Sequence, residues 1–177
     1  MGAGMKLRFL SSLSLFISTL LTACGAGTPL AVGDAAPVVS AASDNGQVVN
    51  LADIYAKSTY TLVYFYPKAG TSGCTAQGCS LRDAYEELTD KGVTVVGVST
   101  DTVEEQRAFK AAQNFPFTLL ADTNKKVLQA FGVPTYPNSN AARRQAFLIK
   151  GGKIVWADYT ASTSQQAADV LKVLGTL

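Results

Sequence analysis

Histidine is absent from this sequence of 177 residues, and its absence removes several kinds of catalytic site. A Ser-His-Asp triad, a Cys-His pair and every histidine-based metal centre are excluded. Cysteine is scarce as well, since only Cys24, Cys74 and Cys79 occur, and none of them form the C-x-x-C spacing of thiol exchangers or zinc ribbons. No nucleotide-binding motif is found either. We therefore expect neither a metal nor a cofactor, and chemistry built on thiol, hydroxyl, guanidinium and backbone groups.

A hydrophobic run long enough to span a bilayer is also missing at the N-terminus. Residues 9–23 are apolar but fall short of the roughly 20 residues that a membrane helix needs. With Lys6 and Arg8 before it, this run is typical of a signal peptide over residues 1–23. The sequence therefore predicts an exported protein.

The end of this segment predicts a lipid anchor. Leu21-Thr22-Ala23-Cys24 is similar to the lipobox of bacterial lipoproteins, in which the cysteine becomes the acylated N-terminus after cleavage. The alternative is an ordinary secretory signal that ends beside a cysteine. Residues 24–36 are small and unpatterned, which favours a tether, and residues 37–177 would then form one domain. We expect a lipid-anchored protein on the periplasmic side of a bacterial cell envelope.

The mature chain lacks an excess of either charge. The sequence has 15 Lys and Arg against 13 Asp and Glu, and Lys6 and Arg8 leave with the signal peptide, so the mature net charge is zero. Nucleic acid is not expected as a partner, because that binding depends on clustered basic residues. The remaining chain is long enough for one domain with a core, and no repeat or second domain is found.

Two of the three cysteines lie in one stretch that predicts a strand, a loop and a helix. Residues 62–66 are apolar and aromatic, as in a strand buried on both faces, and Pro67 ends the strand. Loop-forming residues follow, and Cys74 comes where a helical pattern begins. The first turn of a helix has unpaired N–H groups and partial positive charge, which favour a thiolate. Cys74 is therefore placed to be reactive.

The residues around Cys74 carry a resemblance to a known family. The spacing Pro67-x-x-x-Thr71-x-x-Cys74 resembles the active-site signature of the peroxiredoxins, which reduce peroxides with a cysteine thiolate. The flanking Tyr-Phe-Tyr-Pro-Lys and Cys79-Ser-Leu-Arg-Asp are similar to the Q-type branch, also called bacterioferritin comigratory protein. The resemblance implies that Cys74 attacks the peroxide and that Cys79 resolves the product. In an oxidising compartment the two thiols could instead form an inert structural disulfide.

The resemblance also assigns three supporting residues. The Thr71 hydroxyl would meet the sulfur and the bound peroxide, and Pro67 would shield the sulfur from water. Arg144, just before a late strand, would stabilise the thiolate and the departing oxygen. Arg143 is the alternative candidate for this role. Gln77 and Gly78 depart from a common Glu-Ala pair, which puts the rate and the resolving step in question.

The rest of the chain predicts alternating strands and helices. We expect a hairpin over residues 38–49, a strand over 93–98, a capping box at 101–104, a helix to Gln113, a short strand over 117–120, a helix over 124–131, a hairpin around Gly151-Gly152 and a closing helix over 164–174. This order favours an α/β thioredoxin-like fold with a central mixed sheet flanked by helices.

The resulting hypothesis is a monomeric, thiol-dependent peroxidase for hydrogen peroxide and organic hydroperoxides. It would form a cysteine sulfenic acid and then an intramolecular disulfide, which an external thioredoxin-like dithiol reduces. The alternative is a lipid-anchored thioredoxin-fold thiol exchanger or binding module with a structural disulfide.

Overall fold

The computed structural model describes residues 28–177 together with Met1. The predicted lipidation site Cys24, and the predicted signal peptide apart from Met1, lie outside the described residues and stay predictions. Within the described part, no helix is long and apolar enough to cross a membrane.

The described residues form strands and helices in alternation. The strands are β1 Ser40–Ser43, β2 Val48–Asn50, β3 Tyr60–Phe65, β4 Val93–Ser99, β5 Thr118–Ala121, β6 Gln145–Lys150 and β7 Lys153–Asp158. The helices are α1 Leu51–Lys57, α2 Ser72–Asp83, α3 Tyr85–Asp90, α4 Val103–Gln113, α5 Lys126–Ala130 and α6 Gln166–Leu174.

The strands form one mixed sheet in the order β2-β1-β5-β4-β3-β6-β7. Strands β3, β4 and β5 are parallel, while β1, β2, β6 and β7 join by antiparallel pairing. The parallel strands end at the same edge, and β6 begins there because Gln145 pairs with Phe65. This confirms the predicted α/β fold with a central mixed sheet. We call the edge at which β3 ends the catalytic edge, because it carries the candidate site.

Strand β3 lies in the middle of the molecule and is buried on both faces, as its continuous apolar sequence predicts. Leu62 and Tyr64 point into a core shared with α2, α4 and α6. Val63 and Phe65 point into the opposite core, which α1 and α5 cover. Packing on both faces fixes β3, and it therefore fixes where the following loop leaves the sheet.

Helix α1 is absent from the sequence-based expectation, which has no helix between the hairpin over residues 38–49 and the central strand. Asn50 caps this helix, since its side chain accepts a hydrogen bond from the Ala52 N–H at 3.0 Å. Leu51 and Ile54 place apolar side chains one turn apart against the second core. Helix α1 has only seven residues, which is too short for the helical repeat of apolar residues to stand out in the sequence.

The capping box of α4 lies one residue later than expected. Thr102 caps the helix and Glu105 completes the box, whereas the expected box began at Asp101. Asp101 is used elsewhere, because its carboxylate accepts hydrogen bonds from the loop before α2. The single helix expected after Cys74 is also divided at Ala84 into α2 and α3.

Part of the predicted tether packs on the domain. The Leu30 N–H donates to the Phe131 carbonyl at 3.1 Å, and the Ala36 N–H donates to the Gly152 carbonyl at 2.8 Å. Gly132 has a φ of +66°, and a Cβ there would lie 2.1 Å from the Thr28 carbonyl oxygen. The packed domain therefore begins before residue 37, and only residues 24–27 of the predicted tether lie outside the described residues.

Candidate active site

Cys74 is the third residue of α2, and its side chain is almost fully buried, with 2% of the residue exposed. Thr71 is the N-cap residue, and its backbone carbonyl accepts from the Thr75 N–H at 2.8 Å. The sulfur therefore lies at the positive end of the helix dipole, where N–H groups without helical partners favour an anion. This matches the placement that the sequence predicts.

Arg144 contacts this sulfur although it lies 70 residues later in the sequence. It precedes β6 directly, and its Nη2 lies 3.4 Å from Cys74 Sγ. The neighbouring Arg143 instead lies over the Tyr136 ring, with 5.3 Å between Cζ and the ring centroid. The structure thus brings Arg144 to the cysteine and not Arg143, because alternation along the extended chain turns neighbouring side chains to opposite sides.

Gln77 is part of the site, although the sequence marked it only as a departure from a family pattern. It is fully buried, and its Oε1 accepts a hydrogen bond from Arg144 Nη1. Its Nε2 donates to Gln166 Oε1 at 2.8 Å. The signal available in the sequence is spacing, since a residue three positions after Cys74 shares its helix face. Gln166 could not be found this way, because it lies 89 residues further on.

Cys79 is the second cysteine of α2, and both cysteines are free. Cys79 is partly buried, and its Sγ lies 3.7 Å from Gln113 Oε1 at the end of α4. Five residues of α-helix turn the two side chains roughly 140° apart, so the sulfurs face different neighbours.

Thr71 and Pro67 lie in the loop that leads into α2. The Thr71 hydroxyl donates to the Lys68 carbonyl at 2.9 Å, which closes the loop on itself. Its predicted contact with the sulfur and a peroxide stays a prediction. Pro67 lies two residues after the end of β3, with Tyr66 between them, and is half-buried. Its predicted role in shielding the sulfur also stays a prediction.

Asp101 holds this loop against the sheet. Its Oδ2 accepts from the Ala69 N–H and from the Ser99 hydroxyl, both at 2.7 Å. Its Oδ1 lies 3.2 Å from Lys68 Nζ, and the hydrogen bond and charge of Asp101 raise the pKa of Lys68. The sequence did not identify Asp101 as a support of the site, because its partners in the loop, Lys68 and Ala69, lie 33 and 32 residues away.

The polar network around Asp101 continues through the Ser99 hydroxyl to Gln106 and Tyr66. The Tyr66 hydroxyl donates to Gln106 Oε1, and Gln106 Nε2 donates to the Ser99 hydroxyl at 2.7 Å and to the Leu120 carbonyl at 2.9 Å. Burial raises the pKa of Tyr66 far above its usual range, so the phenol stays protonated. The network ties the end of β3 to α4 and keeps the loop at the catalytic edge.

Tyr64 lies close to the site, but its phenol stays protonated. Burial raises the pKa of its phenol well above the usual value, and the nearby Tyr66 and Cys74 raise it further. Its hydroxyl has no hydrogen-bond partner among the described residues. Tyr64 therefore belongs to the core, as the sequence suggests.

No group of three or more metal-ligating side chains occurs among residues 28–177. A buried thiol at a helix start, with a guanidinium on its sulfur and a second thiol on the same helix, requires neither metal nor cofactor for nucleophilic attack. Together with the mixed α/β sheet, this arrangement defines a class of protein, the thioredoxin-fold peroxidases that react through cysteine.

Comparison with known proteins agrees with this class. Residues 32–157 match the AhpC/TSA family. The chain is 33% identical over 149 residues to peroxiredoxin Bcp of Bacillus subtilis, covering 81% of this chain and 94% of the relative. It is 47% identical over 105 residues to peroxiredoxin Bcp of Escherichia coli, covering 59% of this chain and 66% of the relative. The crystal structure of peroxidoxin BcpB from Mycobacterium tuberculosis superimposes with a TM-score of 0.77 at 27% identity, covering 82% of this chain and 97% of that one.

The chain belongs to the AhpC/TSA family, and its relatives place it in the peroxiredoxin Q or Bcp branch. It is therefore a peroxiredoxin, an oxidoreductase that acts as a thiol-dependent peroxidase. This confirms the family, the fold and the activity expected from the sequence, and it does not favour a thiol exchanger or a binding module.

Proposed function

We propose that Cys74 is the nucleophile of the peroxidase reaction. The observation that carries this assignment is the 3.4 Å contact between Arg144 Nη2 and the buried Cys74 Sγ in the first turn of α2. The thiolate attacks the distal oxygen of the hydroperoxide, an S–O bond forms and the O–O bond breaks. The leaving oxygen takes a proton and departs as water or an alcohol, while Cys74 becomes a sulfenic acid. The guanidinium stabilises the negative charge before and during this step.

Cys79 then resolves the sulfenic acid. Its thiol attacks Cys74 Sγ, an S–S bond forms and the sulfenic oxygen leaves as water. On a regular helix the two Cα atoms are roughly 8.6 Å apart, whereas a disulfide needs them within about 7 Å. Part of α2 must therefore unwind before the bond can form. Both cysteines belong to one chain, so the cycle needs only a monomer.

The disulfide is returned to two thiols by an external dithiol. Thiol–disulfide exchange with a thioredoxin-like protein transfers two electrons and restores Cys74 and Cys79. The family supports a reductant of this type. The unwound form of α2 would offer the reductant an accessible disulfide.

Single-turnover kinetics with the two cysteine variants test the assignment. Cys74→Ser should consume no hydroperoxide. Cys79→Ser should consume one equivalent, gain one oxygen atom by intact mass and then stop. Wild type should instead lose two hydrogen atoms as the disulfide forms. A Cys74→Ser variant with near-native turnover would refute the nucleophile, and an intramolecular disulfide in Cys79→Ser would refute the resolving thiol.

We further propose that the protein is exported and held on the periplasmic side of the cell envelope by lipid on Cys24. The motif Leu21-Thr22-Ala23-Cys24 supports this proposal, with residues 1–23 as the signal peptide. Mass analysis of the N-terminal peptide from the native host tests it. An unmodified N-terminus on protein from the soluble fraction would reject the anchor.

The contacts of residues 28–36 show which part of the domain would lie nearest to such an anchor. The Tyr159 hydroxyl donates to the Leu30 carbonyl at 2.9 Å, and Tyr159 follows Asp158, which pairs with Ala146 near the start of β6. Leu30 therefore lies near the catalytic edge of the sheet, and Ala36 lies at the opposite edge beside Gly152. Cys24 is four residues before Thr28, and such a chain spans at most about 14 Å. A lipid on Cys24 would thus hold the catalytic edge close to the membrane surface.

A further inference from the structure

Gln77 and Gln166 form a buried amide pair that links α2 to α6. Both residues are fully buried, and Gln77 Nε2 donates to Gln166 Oε1 at 2.8 Å. The direction of this bond is fixed by Arg144, because a guanidinium can only donate and must therefore face Gln77 Oε1. Gln166 Nε2 is then left without a partner among the described residues. The hydrogen bonds therefore run in one fixed direction, from Arg144 to Gln77 and from Gln77 to Gln166 in α6.

Arg144 has no carboxylate partner in the part of the chain that the structure describes. None of the ion pairs among residues 28–177 includes Arg144. Its side-chain partners are the Cys74 sulfur and the Gln77 amide oxygen. Because Gln77 is neutral, it can fix the guanidinium without neutralising its charge. The orientation of Arg144 toward the sulfur therefore depends on Gln77, and that of Gln77 depends on Gln166.

Gln77 lies between the two cysteines in the sequence. The unwinding of α2 that a Cys74–Cys79 bond requires would move the backbone of Gln77 and break both of its side-chain bonds. A second link would break with them, since the Ser80 hydroxyl donates to the Gln77 carbonyl at 3.1 Å and accepts from the Ala167 N–H at 3.4 Å. Both links join α2 to the first turn of α6.

We propose that the Gln77–Gln166 pair is a redox-sensitive latch. When α2 is folded, Gln166 positions Arg144 at Cys74 through Gln77, and the site reacts with peroxide. When α2 unwinds to form the disulfide, the latch opens and releases both Arg144 and the first turn of α6. Gln166 is therefore a positioning residue that never touches the substrate. The opening step rests on the proposed role of Cys79, whereas the positioning step does not.

The positioning step is tested in the Cys79→Ser background, in which no disulfide can complicate the kinetics. Gln166→Met keeps the size of the side chain but removes the acceptor for Gln77, and it should slow the reaction with hydrogen peroxide about tenfold. It should also move the pH–rate profile to higher pH, which a mere loss of folded protein would not do. Gln166→Glu keeps an acceptor oxygen and, as the neutral acid that full burial favours, should stay within about threefold of the parent. The exposed neighbour variant Gln165→Met is the matched control and should change nothing.

The opening step is tested by hydrogen exchange in wild type before and after treatment with diamide, which oxidises two thiols to a disulfide without peroxide. Residues 75–82 and 166–170 should both lose protection, and Gln166→Met should start with residues 166–170 already less protected. Unchanged protection at 166–170 in the disulfide form would refute the latch. An unshifted pH–rate profile in Gln166→Met would refute the positioning step. Failure of Cys79 as the resolving thiol would appear separately, as the absence of a disulfide after peroxide.

Discussion

Arg144 and Cys74 are 70 residues apart in the sequence, yet Arg144 Nη2 lies 3.4 Å from Cys74 Sγ. The contact arises because β6 pairs with β3, so the residue before β6 meets the loop that follows β3. The sheet therefore brings the charge to the sulfur, and α2 only has to present the sulfur at its first turn.

Replacing Arg144 with Ala should slow the reaction with hydrogen peroxide roughly 10- to 100-fold. A hydrogen bond to a charged group contributes about 1.5–3 kcal/mol, and each factor of ten in rate corresponds to about 1.4 kcal/mol. Lys should recover part of the loss, since it keeps the charge but lacks the planar fork with which Arg144 contacts Cys74 and Gln77 through separate nitrogens. Stopped-flow kinetics would measure the rates. Arg143→Ala is the control, and an equal loss in that variant would mean that Arg144 has no special role.

Oxidation should unwind the first turns of α2. The helix holds the two Cα atoms too far apart for a disulfide, so the amides of residues 75–82 should exchange faster in the oxidised protein than in the reduced one. Hydrogen exchange with mass spectrometry would detect the change. The amides of α4 serve as the internal control. Identical exchange over residues 75–82 in both forms would show that the helix stays intact and that Cys79 does not reach Cys74.

Gly78→Ala should destabilise the reduced protein by about 1–3 kcal/mol, although alanine favours helices. A Cβ on Gly78 would lie 2.4 Å from the Cζ of Phe115, in a core that also holds Phe117 and Phe109. Chemical unfolding would measure the loss. Phe115→Leu removes the ring. In that background, Gly78→Ala should therefore lower the free energy of unfolding by less than it does in wild type. If Gly78→Ala were as stable as wild type, the glycine would serve only the flexibility of α2.

The elements that could be predicted from sequence are those whose signal is local. Strand β3, the start of α2 and the β6–β7 hairpin depend on short apolar runs, a proline and paired glycines. The hairpin lies where expected, whereas β3 begins at Tyr60 and ends at Phe65 where 62–66 was expected, and α2 begins at Ser72, just before Cys74. The position of Arg144 was predicted from family resemblance. Gln166 and Asp101 could not be predicted, because each acts through a partner that is distant in the sequence and close only after the sheet forms.

Asp122 should make the stability of the fold depend on pH. Its fully buried carboxylate accepts from the Val127 and Leu128 N–H groups at 3.1 and 2.8 Å, yet burial raises its pKa above the usual 3.8. The folded protein then binds this proton more tightly than the unfolded chain, so the contribution of Asp122 to stability falls as the pH rises from 3.8 through the folded-state pKa. Urea unfolding of wild type and Asp122→Asn at several pH values should therefore show wild type losing stability relative to the variant. A relative gain would mean that the two N–H bonds outweigh burial.

If Cys24 carries lipid, its closeness to the catalytic edge should favour hydroperoxides that reside in the membrane. The packed segment that begins at Thr28 leaves at most about 14 Å of chain between domain and anchor, so the site cannot move far from the bilayer. Lipidated wild type and Cys24→Ala should reduce hydrogen peroxide at equal rates, because the anchor touches no reacting group. Wild type should reduce phospholipid hydroperoxides in vesicles at least tenfold faster, since the anchor raises the local concentration of enzyme at the surface. Both rates can be followed by peroxide consumption with a thioredoxin-like dithiol as reductant. Equal rates on vesicles, with the lipid on Cys24 verified by mass, would show that the anchor localises the protein without presenting its substrate.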